Sequence, residues 1–156
     1  MRKVIVSIFI ASAALVMFSC RSSKEALSLS SMNGEWNIIE INGSAVVPGQ
    51  GQQLPFIGFD TTTGKVYGYS GCNRIIGSVD VNAKPGTIDL GALGSTRMAC
   101  PDMTLEQNVL GALAQVKGYK KMGKENMALC NASNRPVVIL AKKAADVKVA
   151  DLQGEW

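Results

Sequence analysis

Beyond the N-terminal apolar run, turn-forming residues cut this chain into apolar pieces too short for anything but strands, with one exception. Asn42-Gly43 has the composition of a tight hairpin turn. Thr61 to Gly64, Gly71-Cys72-Asn73 and Lys84-Pro85-Gly86 punctuate the chain again, and Gly49-Gln50-Gly51-Gln52 reads as a flexible loop. Between them lie segments with strand patterning. They run from Gly34 to Ile41, Pro55 to Asp60, Lys65 to Ser70, Arg74 to Asn82, Thr87 to Leu90, Asn126 to Cys130 and Pro136 to Ala141. Trp36, Ile38 and Ile41 are core candidates in the first, and Ile76, Val79 and Val81 alternate in the fourth.

The exception is a helical stretch from Met103 to Val116. Thr104 and Gln107 have capping-box spacing, and Pro101-Asp102 suits the start of a helix. Val109, Leu110, Leu113 and Val116 share one face, and Gly118 is placed to end the helix. Strands, one helix, then strands is not the alternation of a parallel sheet. The pattern predicts an α+β domain: a curled antiparallel sheet or small open barrel, with one main helix covering a face or plugging an end.

The N-terminus carries a different signal. Met1-Arg2-Lys3 is cationic, Val4 to Phe18 is apolar apart from Ser7 and Ser12, and Ser19 precedes Cys20. These are the parts of a secretory signal, and the run is shorter than the roughly 20 residues a spanning helix needs. Ser19-Cys20 resembles a lipobox, with Met17 where an aliphatic residue is usual. That resemblance implies a signal peptide over residues 1–19 and lipidation at Cys20. Polar, Ser-rich residues then form a lipidated tether over residues 20–31. By resemblance to the surface-export signals of some lipoproteins, the absence of an acidic run after Cys20 favours a periplasm-facing position, and the expected location is the outer membrane.

Composition removes several kinds of chemistry. The chain contains no histidine, so Ser-His-Asp triads, Cys-His dyads and His-ligated metals are out of reach. No carboxylate pair stands out for acid–base work. The formal charge is +4, of which Arg2 and Lys3 supply two, and the remaining basic residues are scattered apart from Lys120-Lys121 and Lys142-Lys143. With few aromatics, this does not read as a nucleic-acid binder. With Cys20 acylated, Cys72, Cys100 and Cys130 remain, enough for one disulfide and one thiol in an oxidising compartment. No Cys-x-x-Cys is present, and Cys130 reads as a buried small hydrophobe. No cofactor, metal or catalytic residue is expected.

Gly34-Glu35-Trp36 returns near the end as Gly154-Glu155-Trp156, each after an amide residue and an apolar one. Residues 143–150 read as a linker, and 151–156 as the truncated start of a second repeat.

Two stretches carry a family resemblance: Tyr69-Ser70-Gly71-Cys72-Asn73-Arg74 and Leu93-Gly94-Ser95-Thr96-Arg97-Met98-Ala99-Cys100-Pro101. Together with the opening Gly34-Glu35-Trp36 and Ile41-Asn42-Gly43, they resemble the META domain of HslJ-like lipoproteins, over residues 32–142. The resemblance implies a small α+β fold, association with the cell envelope, and a link to stress tolerance. It nominates Gly71, Cys72, Asn73, Arg74, Thr96, Arg97 and Cys100 as the family motif. Cys72 and Cys100 are then disulfide partners or two buried thiols. Gly71 and Asn73 suit a tight turn with left-handed backbone angles. Arg74 and Arg97 can grip a carboxylate or phosphate, and Thr96 can bond the local backbone. Equally, these residues can fix two loops against each other and touch no ligand.

The expected function is therefore a membrane-tethered lipoprotein with a non-enzymatic binding or scaffolding domain for an envelope protein or an apolar ligand. Alternatives are a thiol-dependent redox protein using Cys72 and Cys100, and an exported hydrolase inhibitor presenting a loop such as Gly49 to Gln53.

Overall fold

The computed structural model describes residues 27–144. The expected signal peptide, Cys20, most of the expected linker and the expected start of a repeat at Asp151–Trp156 lie outside the described residues.

Among the described residues nine strands form one antiparallel sheet: β1 (Gly34–Ile41), β2 (Ser44–Ala45), β3 (Phe56–Asp60), β4 (Lys65–Tyr69), β5 (Arg74–Ser78), β6 (Gly94–Ser95), β7 (Gly118–Met122), β8 (Asn126–Cys130) and β9 (Pro136–Lys142). The order across the sheet is β6-β5-β4-β3-β1-β9-β8-β7, with β2 folded onto β1. Strand β1 joins two meanders. Its first half pairs with β3 and most of its length pairs with β9. The sheet stays open among the described residues, since β6 and β7 do not pair. It agrees with the expected α+β class with an open antiparallel sheet and is not closed into a barrel.

The helix α1 (Thr104–Leu113) lies against β9 and β1. Its Val109, Ala112 and Leu113 join Trp36, Ile38 and Leu140 in the main core. Ile38 and Ile41 are an odd number of positions apart, so a regular strand would put them on opposite faces. A register shift between Ile38 and Glu40 returns Ile41 to the core. On the other face Ala128, Cys130 and Ile139 form a smaller cluster with Ile39 against it. Strand β8 is thus buried on both faces.

Several sequence expectations shift by a few residues. The helix starts at Thr104 with Met103 as its cap residue, so Thr104 and Gln107 make no capping box. Asp102 takes over, its Oδ1 accepting the Thr104 N–H at 2.8 Å. The helix stops at Leu113, although Val116 remains buried. Gly118 is no helix terminator: it opens β7, where Tyr119 is buried. The Arg74 strand ends at Ser78. Thr87 to Leu90 makes a single bridge, Thr87 to Gly118, while Ile88 and Leu90 fill the core. The alternation there serves a core-covering connection, tied to the start of β7 by that one bridge.

The stretch read as tether also contributes to the domain. A 3₁₀ turn, Leu29–Met32, buries both its end residues, because two apolar side chains among serines suffice for one turn. The Leu27 carbonyl accepts from the Gly86 N–H at 3.0 Å and the Tyr119 hydroxyl at 2.7 Å.

Candidate functional site

The motif residues meet where the β4–β5 connection faces the loop after β6. Gly71 sits at φ +118°, a conformation that L side chains rarely adopt. A Cβ built there would also lie 3.0 Å from Leu105 Cγ on the helix. Glycine therefore lets the chain turn and lets α1 approach. The Tyr69 hydroxyl donates to the Gly71 carbonyl at 2.6 Å. Asn73 is not left-handed, contrary to expectation. Its side chain has a different task.

Asn73 is buried and bonds in two directions. Its Oδ1 accepts from the Met98 N–H and the Thr96 hydroxyl, both at 2.7 Å. Its Nδ2 donates to the Met98 carbonyl at 3.1 Å and to Glu106 Oε1 at 2.9 Å. Glu106 Oε2 also accepts the Asn73 backbone N–H at 2.7 Å, and Ser70 Oγ lies 3.0 Å from it. Three segments distant in sequence are thereby fixed to one another: the β4–β5 turn, the loop after β6, and the first turns of α1. No buried side-chain nitrogen or oxygen lacks a partner among the described residues. A buried polar network is stabilising only when complete in this way.

Cys72 and Cys100 are joined in a disulfide beside this network, with Cα atoms 6.1 Å apart. Cys72 is buried. The bond closes a loop spanning 28 residues. Cys130 is free and buried, and burial pushes its thiol above the ordinary value. Thr96 bonds the local backbone as expected: its hydroxyl accepts the Arg74 N–H, and its N–H donates to the Arg74 carbonyl, both at 3.1 Å.

Ser70 and Glu106 were not singled out from the sequence as site residues. A lone Glu in an amphipathic helix reads as solvated surface. The one available signal was its place on the helix side that follows a cysteine motif, and that is weak.

The two arginines are placed differently. Both are exposed, and neither side chain has a hydrogen bond or ion pair among the described residues. Arg74 lines a groove of about 420 Å³ with Phe56, Tyr69, Cys72, Met98 and Gln53. Arg97 is not part of its lining, so the two are not brought together on one ligand site. The register explains the groove. Phe56, Tyr69 and Arg74 lie opposite one another across β3, β4 and β5 on the sheet face away from α1. The next row is Gly58, Tyr67 and Ile76. Tyr67 lies over Gly58, where an added Cβ would sit 2.4 Å from its ring. Partial burial, then the Glu35 carboxylate, hold the Tyr67 phenol above its ordinary pKa. Ile76 is 66% exposed and Met98 58%. Gly51 and Gln53, from the loop after β2, border the same groove. The region thus offers an apolar, aromatic surface with one unengaged guanidinium.

The fold is similar to that of a protein from Burkholderia xenovorans solved by NMR, with a TM-score of 0.56, 24% identity, and coverage of 74% of this chain and 86% of that one. A second NMR structure matches with a TM-score of 0.52 and 19% identity, over 79% of this chain and 94% of the other. A duf4847 family protein from Bacteroides vulgatus has a TM-score of 0.49 and 16% identity, over 74% and 96%. These likenesses concern the fold alone. No curated protein matches the chain. The META domain profile matches residues 27–144, three quarters of the sequence and all of the motif network described above, and the chain belongs to the META domain family.

Proposed function

We propose that this protein is a lipid-anchored envelope lipoprotein whose META domain is a non-enzymatic binding module. Its partner is an envelope protein presenting an acidic side chain flanked by apolar ones. The observation that carries the reading is how the motif is used. Asn73, Thr96, Cys72, Cys100, Ser70 and Glu106 satisfy one another, leaving no reactive group presented to a substrate. What they hold outward is Arg74 beside Phe56, Tyr69, Met98 and Ile76, on a sheet face without the helix. A guanidinium set in apolar surroundings is well suited to a carboxylate, since it grips it bidentately and is weakly hydrated. Exposed apolar side chains around it supply the area for association. A redox role at Cys72 would need an exposed, low-pKa thiol. Cys72 is buried and disulfide-bonded, which gives that reading no support.

The anchor and the stress-tolerance link rest on the sequence: the lipobox resemblance at Cys20 and the family. Incorporation of radioactive fatty acid should be lost in a Cys20→Ala variant, and unchanged incorporation would remove the anchor. For the binding reading, a photocrosslinking residue at Met98 should give a discrete adduct in living cells. The adduct should disappear with Arg74→Glu and persist with Arg97→Glu. Adducts indifferent to Arg74→Glu would count against the acidic partner.

A further inference from the structure

A second groove, of about 620 Å³, lies at the opposite end of the sheet from the motif. No residue lines both grooves. Its apolar part is made by Leu27, Trp36 and Met127, and its rim carries Lys121, Lys124 and Lys142, with Glu125 the one acidic lining residue. Lys142 is engaged, donating to the Asn33 carbonyl and standing 4.3 Å from the Trp36 ring centroid. Lys121 and Lys124 are exposed and have no partner among the described residues. The position of Leu27 matters most. Cys20 precedes it by seven positions in the sequence. Fully extended, seven residues reach about 25 Å. An anchor at Cys20 therefore keeps this groove close to the bilayer, whatever path the intervening residues take.

We infer that this groove is a membrane-contacting surface that takes the headgroups of anionic phospholipids. The inference deepens the lipoprotein reading and rests on the anchor at Cys20. Lysines beside a lipid anchor are drawn to an anionic leaflet, and the attraction falls away within a Debye length. The anchor supplies that proximity. The apolar floor suits the boundary between headgroup and acyl chain, where Trp and the stems of Lys are at home. The contact sets orientation more than affinity. With β7, β8 and the first turn of the domain laid on the bilayer, the Arg74 groove at the other end of the sheet is held away from it.

The test uses the lipidated protein reconstituted on phosphatidylcholine vesicles with and without phosphatidylglycerol. Flotation with both kinds of vesicle reads the anchor. A water-soluble amine reagent, followed by peptide mass spectrometry, reads the contact. Modification of Lys121 and Lys124 should fall about threefold when phosphatidylglycerol is present and recover at high salt. Lys65, on β4, should react equally on both. Lys121→Ser/Lys124→Ser, two exposed positions, should float as well as the parent, with Lys142 on the same rim modified equally on both vesicles. Equal modification of Lys121 and Lys124 with and without phosphatidylglycerol overturns the inference and leaves the anchor standing. A protein that floats with neither vesicle overturns both. Flotation only with phosphatidylglycerol, with protection, keeps the surface and removes the anchor.

Discussion

Glu106 grips Asn73 at two points, its Oε2 taking the backbone N–H at 2.7 Å and its Oε1 the side-chain Nδ2 at 2.9 Å. Asn73 cannot flip to accommodate a different partner, because its Oδ1 already accepts from Thr96 and Met98. A glutamine at 106 would thus face donors on both sides with one acceptor. Glu106→Gln should destabilise the domain by about 1–3 kcal/mol, and Glu106→Ala by about 3 kcal/mol, since buried donors then go unsatisfied. Urea unfolding should show a lower midpoint at unchanged slope. A midpoint within error of the parent for Glu106→Ala would mean that water replaces the carboxylate.

Removing the disulfide acts through the unfolded chain. Chain entropy over the 28-residue span gives about 3.5 kcal/mol. Cys72→Ser/Cys100→Ser should lose roughly that much, and the parent should lose it on reduction. Two equal melting temperatures with and without reductant would contradict the bond.

Cys130 offers a chemical probe of the second apolar cluster. Its thiol is buried and its pKa raised, first by that burial. A raised folded value favours the protonated thiol in the native state. The contribution is present in full below the unfolded value, near 8.5, and is lost as pH rises through the folded one. Alkylation at Cys130 should be slow in native protein at pH 8 and fast in denaturant, as peptide mass spectrometry would show. Rapid native alkylation would mean that β8 opens locally.

The Asp60 carboxylate ties up the β3–β4 turn, accepting from Thr62 and Thr63. The Thr63 hydroxyl, then the N–H groups of Thr63 and Thr62, hold its carboxyl below the usual carboxylate value. A depressed folded pKa contributes stability above the unfolded value, near 4, that is lost as pH falls through the folded one. Asp60→Ala should flatten the stability profile below about pH 4. An acid limb identical to the parent's would show that the β3–β4 turn does not need the charged form.

Much of the fold was legible because local rules and tertiary demands agreed. The β1, β3, β4, β8 and β9 segments and α1 sit within a few residues of where periodicity placed them. Strand β7 was hidden because Gly118 looked like a helix terminator and Lys120-Lys121 like solvated surface. Both are features of an edge strand, where lysines discourage further pairing. The two-residue strands β2 and β6 are below any periodic signal. At the site, the family resemblance pointed to Cys72, Cys100 and Thr96, and the backbone explains Gly71. The union of Asn73 with Glu106 lies in the packing of a helix against a turn, across 33 residues, and no local pattern encodes it.

The placement of β1 bears on how the chain acquires its shape in time. Lys143 reaches back to Glu35 over a separation of 108 residues, and β9 completes one side of β1. Such distant pairing is slow to form, because the chain must close a long loop before the contact rewards it. A chain delivered from its N-terminus presents β1 first and β9 last. The central strand therefore waits with an open edge until nearly the whole domain has arrived, and the domain should fold as one late, cooperative event. A helper that shields Gly34–Ile41 in the interval would protect the chain where it is most exposed to mispairing.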